Sequence, residues 1–285
     1  MEVLKIALQK KGRLHENSME LMKKCGLDFS FKTDQLIAKA SNFPVEFLFL
    51  RDDDIPENVA DKVADLGIVG LNEVDEKNKE VSIVKELGFS KCRISLAVPD
   101  KFQYNSINDL QEKSIATSYP VILANYLKTK NITAKIVQIS GSVEIAPAIG
   151  LADAICDIVS SGSTLLSNGL KEVEKFYYSQ AVLISNKSLT AGQLQILDKL
   201  LMRINSVNAA KDNKYIVLNI ENHKIDAVRN ILPGVKSPTV VPLAEAGWSS
   251  IHSVIEEDKF WENIEKLREV GAQGILVVPI EKMII

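Results

Sequence analysis

An α/β fold is the expectation, with two related lobes followed by a smaller βαββαβ domain. Short runs rich in β-branched and aliphatic residues alternate with helical patterns through the first half, as parallel α/β architecture requires. One segment, Val63-Ala64-Asp65-Leu66-Gly67-Ile68-Val69, is echoed by Leu151-Ala152-Asp153-Ala154-Ile155 running on to Ile158-Val159. In each a helical stretch ends at Ala-Asp and a buried strand begins. After Lys211-Asp212-Asn213-Lys214 the rhythm changes, and a separate small domain begins.

Taken in order, the first strands are expected over residues 3–8, 45–50, 66–69 and 94–98, then 114–116, 135–139 and 154–159. Between the first two lies a helix over residues 17–25, whose Met19, Met22 and Cys25 recur every three residues and form a core face. Chain crossings between the lobes are expected near residues 92–99 and within the β-rich run 175–185. The first lobe would then hold residues 1–96 and 179–211, and the second 97–178. A helix over 191–210 carries Leu194, Leu197, Leu201 and Ile204 as its docking stripe. The tail, residues 212–285, reads strand 215–220, helix 224–232, strand 239–243, strand 248–256, helix 260–270 and strand 274–280. That order is the ferredoxin-like motif, which by itself predicts no function.

The 285 residues are enough for two or three compact units. Hydrophobic residues make up 46% and charged ones 25%, the balance of an ordinary globular chain. A formal net charge of −3 draws the whole molecule neither to nucleic acid nor to anionic lipid. No basic segment followed by an apolar run opens the sequence, and no stretch nears the ~20 apolar residues of a spanning helix. Cys25, Cys92 and Cys156 are isolated, odd in number and set among apolar neighbours, which points to buried free thiols in a reducing, cytoplasmic compartment.

There is no Walker A loop, no Gly-x-Gly-x-x-Gly after the first strand and no His-Glu-x-x-His. With only His15, His223 and His252, a histidine-based nucleophile triad has little support. The informative stretch is Asp153-Ala154-Ile155-Cys156-Asp157-Ile158-Val159-Ser160-Ser161-Gly162-Ser163-Thr164-Leu165, an apolar strand with an acid inside it, then five small or hydroxylated residues and a helix start. Small residues let backbone N–H groups approach an anion, and the helix N-terminus adds its positive end. A strand, turn and helix with Ser163 and Thr164 as plain N-caps is the bland alternative. The aspartate favours a phosphosugar, whose ribose hydroxyls need a carboxylate beside the phosphate cradle. Gln9-Lys10-Lys11-Gly12-Arg13 ends the first strand, where α/β sheets bind ligands, and its cations suit a polyphosphate; a solvated basic loop is the alternative. Arg51-Asp52-Asp53-Asp54-Ile55-Pro56 and Ala116-Thr117-Ser118-Tyr119-Pro120 likewise join strand to helix. The acids could hold Mg2+ or cap the helix near Pro56, capping being the expected role of Asp54.

Gln9-Lys10-Lys11-Gly12-Arg13-Leu14, Arg51 to Pro56, Asp65-Leu66-Gly67-Ile68-Val69-Gly70 and Cys92-Arg93-Ile94-Ser95-Leu96-Ala97 resemble the motifs of the ATP phosphoribosyltransferases. So do Ala116 to Pro120, Gly141-Ser142-Val143-Glu144 with Ala146-Pro147, and residues 150–165, which are similar to that family's phosphoribosyl pyrophosphate signature. Pro238-Thr239 and Ile275-Leu276-Val277-Val278-Pro279-Ile280-Glu281-Lys282-Met283 match its long form; Leu71 stands where many members carry a polar residue.

The resemblance implies a two-lobed, periplasmic-binding-protein-like catalytic core with a C-terminal ferredoxin-like regulatory domain. It implies attack of ATP N1 on the anomeric carbon of phosphoribosyl pyrophosphate, with Mg2+ as cofactor, and dimers assembling into hexamers. On that basis Ser160, Ser161, Gly162, Ser163 and Thr164 take the 5′-phosphate, Asp157 the ribose hydroxyls, with Asp153 as a weaker candidate and Glu144 near the ribose or metal. Gln9, Lys10, Gly12, Arg13, Arg51 and Asp65 face ATP, with Asp157, Lys10 and Arg13 as the catalytic set. Histidine is the expected inhibitor, bound near Pro238 and Thr239. A solute-binding or ligand-sensing protein on the same fold is the alternative from another class, and a sugar-phosphate isomerase with an interaction module is a second.

Overall fold

The computed structural model describes residues 2–31 and 35–284. The chain opens with β1 (Leu4–Gln9), α1 (Arg13–Lys24), β2 (Ile37–Lys39), β3 (Val45–Leu50), α2 (Ile55–Ala60), β4 (Leu66–Gly70), α3 (Leu71–Lys77) and β5 (Ser82–Glu86). It continues with β6 (Cys92–Pro99), β7 (Ser114–Thr117), α4 (Pro120–Thr129), β8 (Lys135–Gln138), β9 (Ala154–Val159), α5 (Ser163–Ser167) and β10 (Leu170–Ser179). After β11 (Ala181–Ser185) and α6 (Ala191–Lys211) come β12 (Asn213–Glu221), α7 (Ile225–Ile231), β13 (Thr239–Pro242), β14 (Trp248–Glu256), α8 (Phe260–Val270) and β15 (Gln273–Pro279).

These strands form three sheets, ordered β2-β3-β1-β4-β11-β5, β10-β6-β9-β7-β8 and β13-β14-β12-β15. The first two are the lobes, and both lie in one compact unit of Met1–Glu20 and Asp28–Ile196. In the first lobe β1 is buried on both faces, Leu4, Ile6, Ala7 and Leu8 being inaccessible, because it runs parallel between β3 and β4 with helices over the sheet. Ala7, Ile55, Val59, Val69, Val182 and Ile184 share one core there. The second lobe has a core on each face of its sheet. Ile94, Leu96, Ile115, Leu123 and Cys156 fill one, and Ala97, Ala116, Val143, Ile155 and Val159 the other.

The run 175–185 is two strands, not one. β10 belongs to the second sheet and β11, past Gln180, to the first. All of β6 lies in the second sheet, so the lobe boundary expected at 96/97 falls instead before Cys92. Two strands were not anticipated: β2 and β5 are short edge strands with little apolar pattern to betray them.

The other compact unit is Leu21–Leu27 with Leu197–Ile285. Most of α6 therefore groups with the tail and not with the first lobe, as a boundary at 211/212 would have it. Its buried stripe also differs from the one expected: Leu197, Leu200, Ile204 and Val207 are buried, whereas Leu194 is exposed and Leu201 half-buried. Both sets step by three, four and three residues, so the period was legible and only the face is displaced towards the C-terminus. The tail domain keeps the expected order, and its sheet has the ferredoxin-like strand arrangement. Ile216, Leu218, Ile220, Ile251 and Ile255 pack one face against Val228 and Leu267 of the helices. By register Tyr215, Val217, Thr239, His252, Leu276 and Val278 share the opposite face, which carries no helix.

Candidate active site

Parallel pairing of β1 with β3 (Gln9 beside Leu50) brings the loops after both strands together, and the Lys10 N–H donates to Leu50 O at 2.8 Å. Gln9, Lys10, Gly12, Arg13 and Arg51 thus gather at one end of the first sheet. Gly12 (φ +95°) makes the turn into α1. Among the described residues Lys10, Lys11 and Arg13 form no ion pair, while Arg51 Nε lies 3.3 Å from Asp53 Oδ1. Asp54 occupies the N-cap position of α2 yet makes no side-chain capping bond, contrary to the expectation for it.

In the second lobe, neighbouring strands β9, β7 and β8 deliver their following loops to a common edge. Ser118 Oγ donates to Ile139 O at 2.9 Å, tying two of those loops. The third loop, Ser160 to Gly162, turns at Gly162 (φ +85°), a conformation that glycine adopts without steric cost, and leads into α5. The N-cap of α5 is Gly162, which has no side chain, and the first N–H of the helix, that of Ser163, is met at 3.4 Å by Ser161 Oγ, so Ser163 and Thr164 are not the plain N-caps of the bland alternative. Ser161 Oγ and Ser163 Oγ lie 3.0 Å apart.

Asp157 is the last but two residues of β9, on the face shared with Ile155 and Val159, and accepts the Ile158 N–H at 2.8 Å. Burial, and then the nearby Glu144 carboxylate, push its carboxyl up to about 6. Glu144 sits in a single 3-10 turn, Val143–Ile145, entered through Ser142 in the left-handed region.

The two edges meet across Glu73 and Tyr119. Glu73 of α3 is buried and accepts the Asn72 side-chain amide at 3.0 Å; burial and then the neighbouring Asp52 push its carboxyl up to about 7, against the pull of the Tyr119 hydroxyl. Tyr119 in turn feels Glu73, Asp157 and Asp52, which with its burial push its phenol well above the ordinary range. One tyrosine ring thus stands near acids of both lobes, and the cleft has an acidic floor with free cations at one rim. Glu73 was not anticipated: a glutamate in a short helix carries no local signal, and only its burial beside Asp52 marks it.

Asp65 and Asp153 are not in this cleft. Asp65 Oδ2 accepts the Lys5 N–H at 2.8 Å and its Oδ1 the Gln193 amide at 2.8 Å. Asp153 Oδ2 accepts the Ser114 N–H at 2.8 Å and the Ser114 hydroxyl at 2.7 Å. Each carboxylate pins the start of its own strand to the start of the adjacent parallel strand. That shared device is the physical meaning of the sequence echo. Both stand at the N-terminal ends, roughly 17 Å along a five-residue strand from the loops at the other end, where α/β sheets bind ligands.

Cys25 and Cys156 are buried free thiols, but Cys92 is partly exposed. No group of three or more His, Cys, Asp or Glu among the described residues could hold a metal by itself, and no helix is long and apolar enough to cross a membrane. Thr239 begins edge strand β13 opposite His252, whose Nδ1 lies 2.9 Å from the Tyr215 hydroxyl; Pro238 is half-buried just before it.

Residues 51–206 match the family model described as ATP phosphoribosyltransferase, and residues 210–282 the one described as the HisG C-terminal domain. A Cytophaga hutchinsonii protein named ATP phosphoribosyltransferase is 57% identical over 282 residues, 99% of each chain. One of the same name from Bacteroides thetaiotaomicron is 53% identical over 283 residues, 99% of this chain and 100% of its own. Among solved structures, the ATP phosphoribosyl transferase (HisG:HisZ) complex from Thermotoga maritima matches with a TM-score of 0.60 at 28% identity, over 71% of this chain and 99% of that one. The substrate binding protein of an amino acid ABC transporter, 14% identical over 73% of this chain and 94% of its own, shares the fold with a TM-score of 0.50. A bilobal cleft with a small-residue loop on one wall and cations on the other is thus found in a chain that is alike throughout to one group of transferases: it belongs to the ATP phosphoribosyltransferases, which carry out the first step of histidine biosynthesis.

Proposed function

We propose that this cleft joins ATP to phosphoribosyl pyrophosphate with the roles divided between its two walls. A bond forms between adenine N1 and the anomeric carbon while the bond from that carbon to the pyrophosphate oxygen breaks; the electron pair leaves with pyrophosphate and the carbon inverts. Adenine N1 is unprotonated at neutral pH, so the step needs no side-chain base. Its demands are alignment of two polyanions and stabilisation of the departing charge.

The loop of Ser160, Ser161, Gly162, Ser163 and Thr164 takes the 5′-phosphate, and Asp157 binds the ribose hydroxyls as a carboxylate. Lys10 and Arg13, unpaired among the described residues, and Arg51 meet the polyphosphates, with Gln9 and Gly12 shaping that loop. Asp65 and Asp153 drop out of the ligand set, because their carboxylates are committed to the opposite strand ends. The single observation that carries this division is the placing of Asp157 beside the loop, across the Tyr119 contact from the first lobe's acids. Mg2+ fits as a cation shared with the substrates' phosphates, since it takes only one or two protein carboxylates at such sites. Asp52 and Asp53, whose charges already raise the Glu73 carboxyl, are the residues to hold it. When bound it supplies neutralisation of pyrophosphate charge.

The chain works in the cytoplasm as a homo-oligomer, dimer to hexamer, and histidine inhibits it through the tail domain near Pro238 and Thr239. Incubation of the full chain with ATP, Mg2+ and phosphoribosyl pyrophosphate tests the core of the proposal: phosphoribosyl-ATP and pyrophosphate are expected in equal amounts. Turnover with another nucleobase donor and none with ATP overturns it.

A further inference from the structure

Arg93, the second residue of β6, lies beside Val159 in the antiparallel register with β9, and so stands where the loop leaves that strand. Its Nη1 donates to Ser160 O at 3.0 Å. Nε and Nη2 of the same guanidinium donate to the two carboxylate oxygens of Glu172 on β10, at 2.6 and 2.7 Å. Glu172 is held in turn by the Ser95 hydroxyl at 2.6 Å. The group is largely sequestered, with side-chain exposures of 21% for Arg93 and 16% for Glu172, and the guanidinium holds the Glu172 carboxyl below its usual range. A forked, planar cation fixed on one side has no freedom left on the other.

This fixes more than a carbonyl. A peptide unit is planar and trans, so its C=O and the following N–H point in opposite directions. With Ser160 O drawn towards β6, the Ser161 N–H is turned away from the guanidinium. Among the described residues neither it nor the Gly162 N–H meets an acceptor. Backbone donors held in this way, next to a positive φ at Gly162, are suited to an anion. We infer that Arg93 is the positioning residue of the phosphate loop: clamped by Glu172, it orients the Ser160–Ser161 peptide so that the Ser161 N–H faces the 5′-phosphate of the sugar substrate. The inference rests on the loop's proposed role and adds what holds the loop in its binding form.

Three full-length variants test it, with ribose 5-phosphate binding followed by calorimetry and Michaelis constants measured for both substrates. Arg93→Lys keeps the charge facing Glu172, but an ammonium cannot span both carboxylate oxygens and the carbonyl. Its affinity for ribose 5-phosphate is expected to fall about tenfold, with a matching rise in KM for phosphoribosyl pyrophosphate and KM for ATP within about twofold. Parent-like values, or equal rises in both constants, overturn the role. Gly162→Val separates the two layers. If it binds ribose 5-phosphate as the parent does, the loop is not the phosphate site and both readings fall. If it loses binding while Arg93→Lys keeps it, only the clamp falls. Should Arg93→Lys not fold, Glu172→Gln loosens the guanidinium without changing the outline of the side chain. The same selective rise, smaller in size, is expected there, and unchanged constants overturn the inference.

Discussion

Asp157 carries a conflict between stability and function. Its carboxyl is raised from 3.8 to about 6 by burial and by Glu144. A group with a raised folded pKa contributes stability that is full below its unfolded value and lost as pH rises through the folded one. At pH 7 the half-buried carboxylate is therefore a liability, and Asp157→Asn is expected to raise thermal stability by roughly 1–3 kcal/mol while catalysis falls by ten- to a hundredfold or so, as charge-assisted bonds to the ribose weaken. In the parent, kcat/KM for phosphoribosyl pyrophosphate should drop with one proton below pH about 6; Asp157→Asn should lack that limb. Cys156 faces the other way, into the core with Leu96 and Leu123, its thiol pushed up by burial. Cys156→Ala should keep its activity and lose about 1 kcal/mol of stability. Melting curves and pH profiles of both variants check this, and equal activity in the two folded proteins makes Asp157 merely structural.

At the scale of elements, α3 and α4 join the lobes. Tyr119, the N-cap of α4, makes no capping bond with its own side chain. The cap comes from α3 instead: Glu76 accepts the Val121 N–H at 3.0 and 3.1 Å and the Ile122 N–H at 3.0 Å. A carboxylate at a helix N-terminus satisfies orphan donors and suits the positive end of the helix dipole. Tyr177 adds a hydroxyl bond to Asp75 at 2.6 Å, and Ser179 one to Asn72 Oδ1 at 2.7 Å. Glu76→Ala is expected to cost about 1–2 kcal/mol and to speed hydrogen exchange selectively at Val121 and Ile122. Unchanged protection of those two amides would show that the cap contributes nothing in solution.

For the molecule as a whole, the uncovered face of the tail sheet matters most. Leu276 is 62% exposed, and Val241 and Val278 also stand out of the core on the strands that bear Thr239 and the closing run of the sequence. Exposed apolar side chains on an uncovered sheet face suit association with another copy of the chain, as the proposed oligomer requires. Leu276→Asp should therefore shift the full chain to smaller species in sedimentation. Histidine at millimolar concentration should slow the parent, and Thr239→Val should blunt that response with little change in uninhibited rate; a coupling of ~1–3 kcal/mol suffices for strong inhibition. A parent indifferent to histidine defeats the regulatory reading. Full-length variants are the right tools, because a chain ending after α6 would divide the compact unit that begins again at Leu197.

Local pattern was enough for much of this. Buried runs and periodicity mark β3, β9, β14 and α8 to the residue, because strand and helix repeats are short-range properties of the chain. The small-residue loop after β9 and the cations after β1 were legible for the same reason: each is a contiguous string at a strand end. Asp65 and Asp153 looked like ligands because sequence does not say which end of a strand a neighbouring loop occupies. Parallel pairing decides that, and it places both at the start. Arg93 stood in a legible motif, yet its grip on Ser160 spans 67 residues, and Glu76 reaches α4 across 45. Such contacts follow from register between distant strands and from two lobes closing on each other. They are properties of the path of the chain through space, and so only the tertiary structure could supply them.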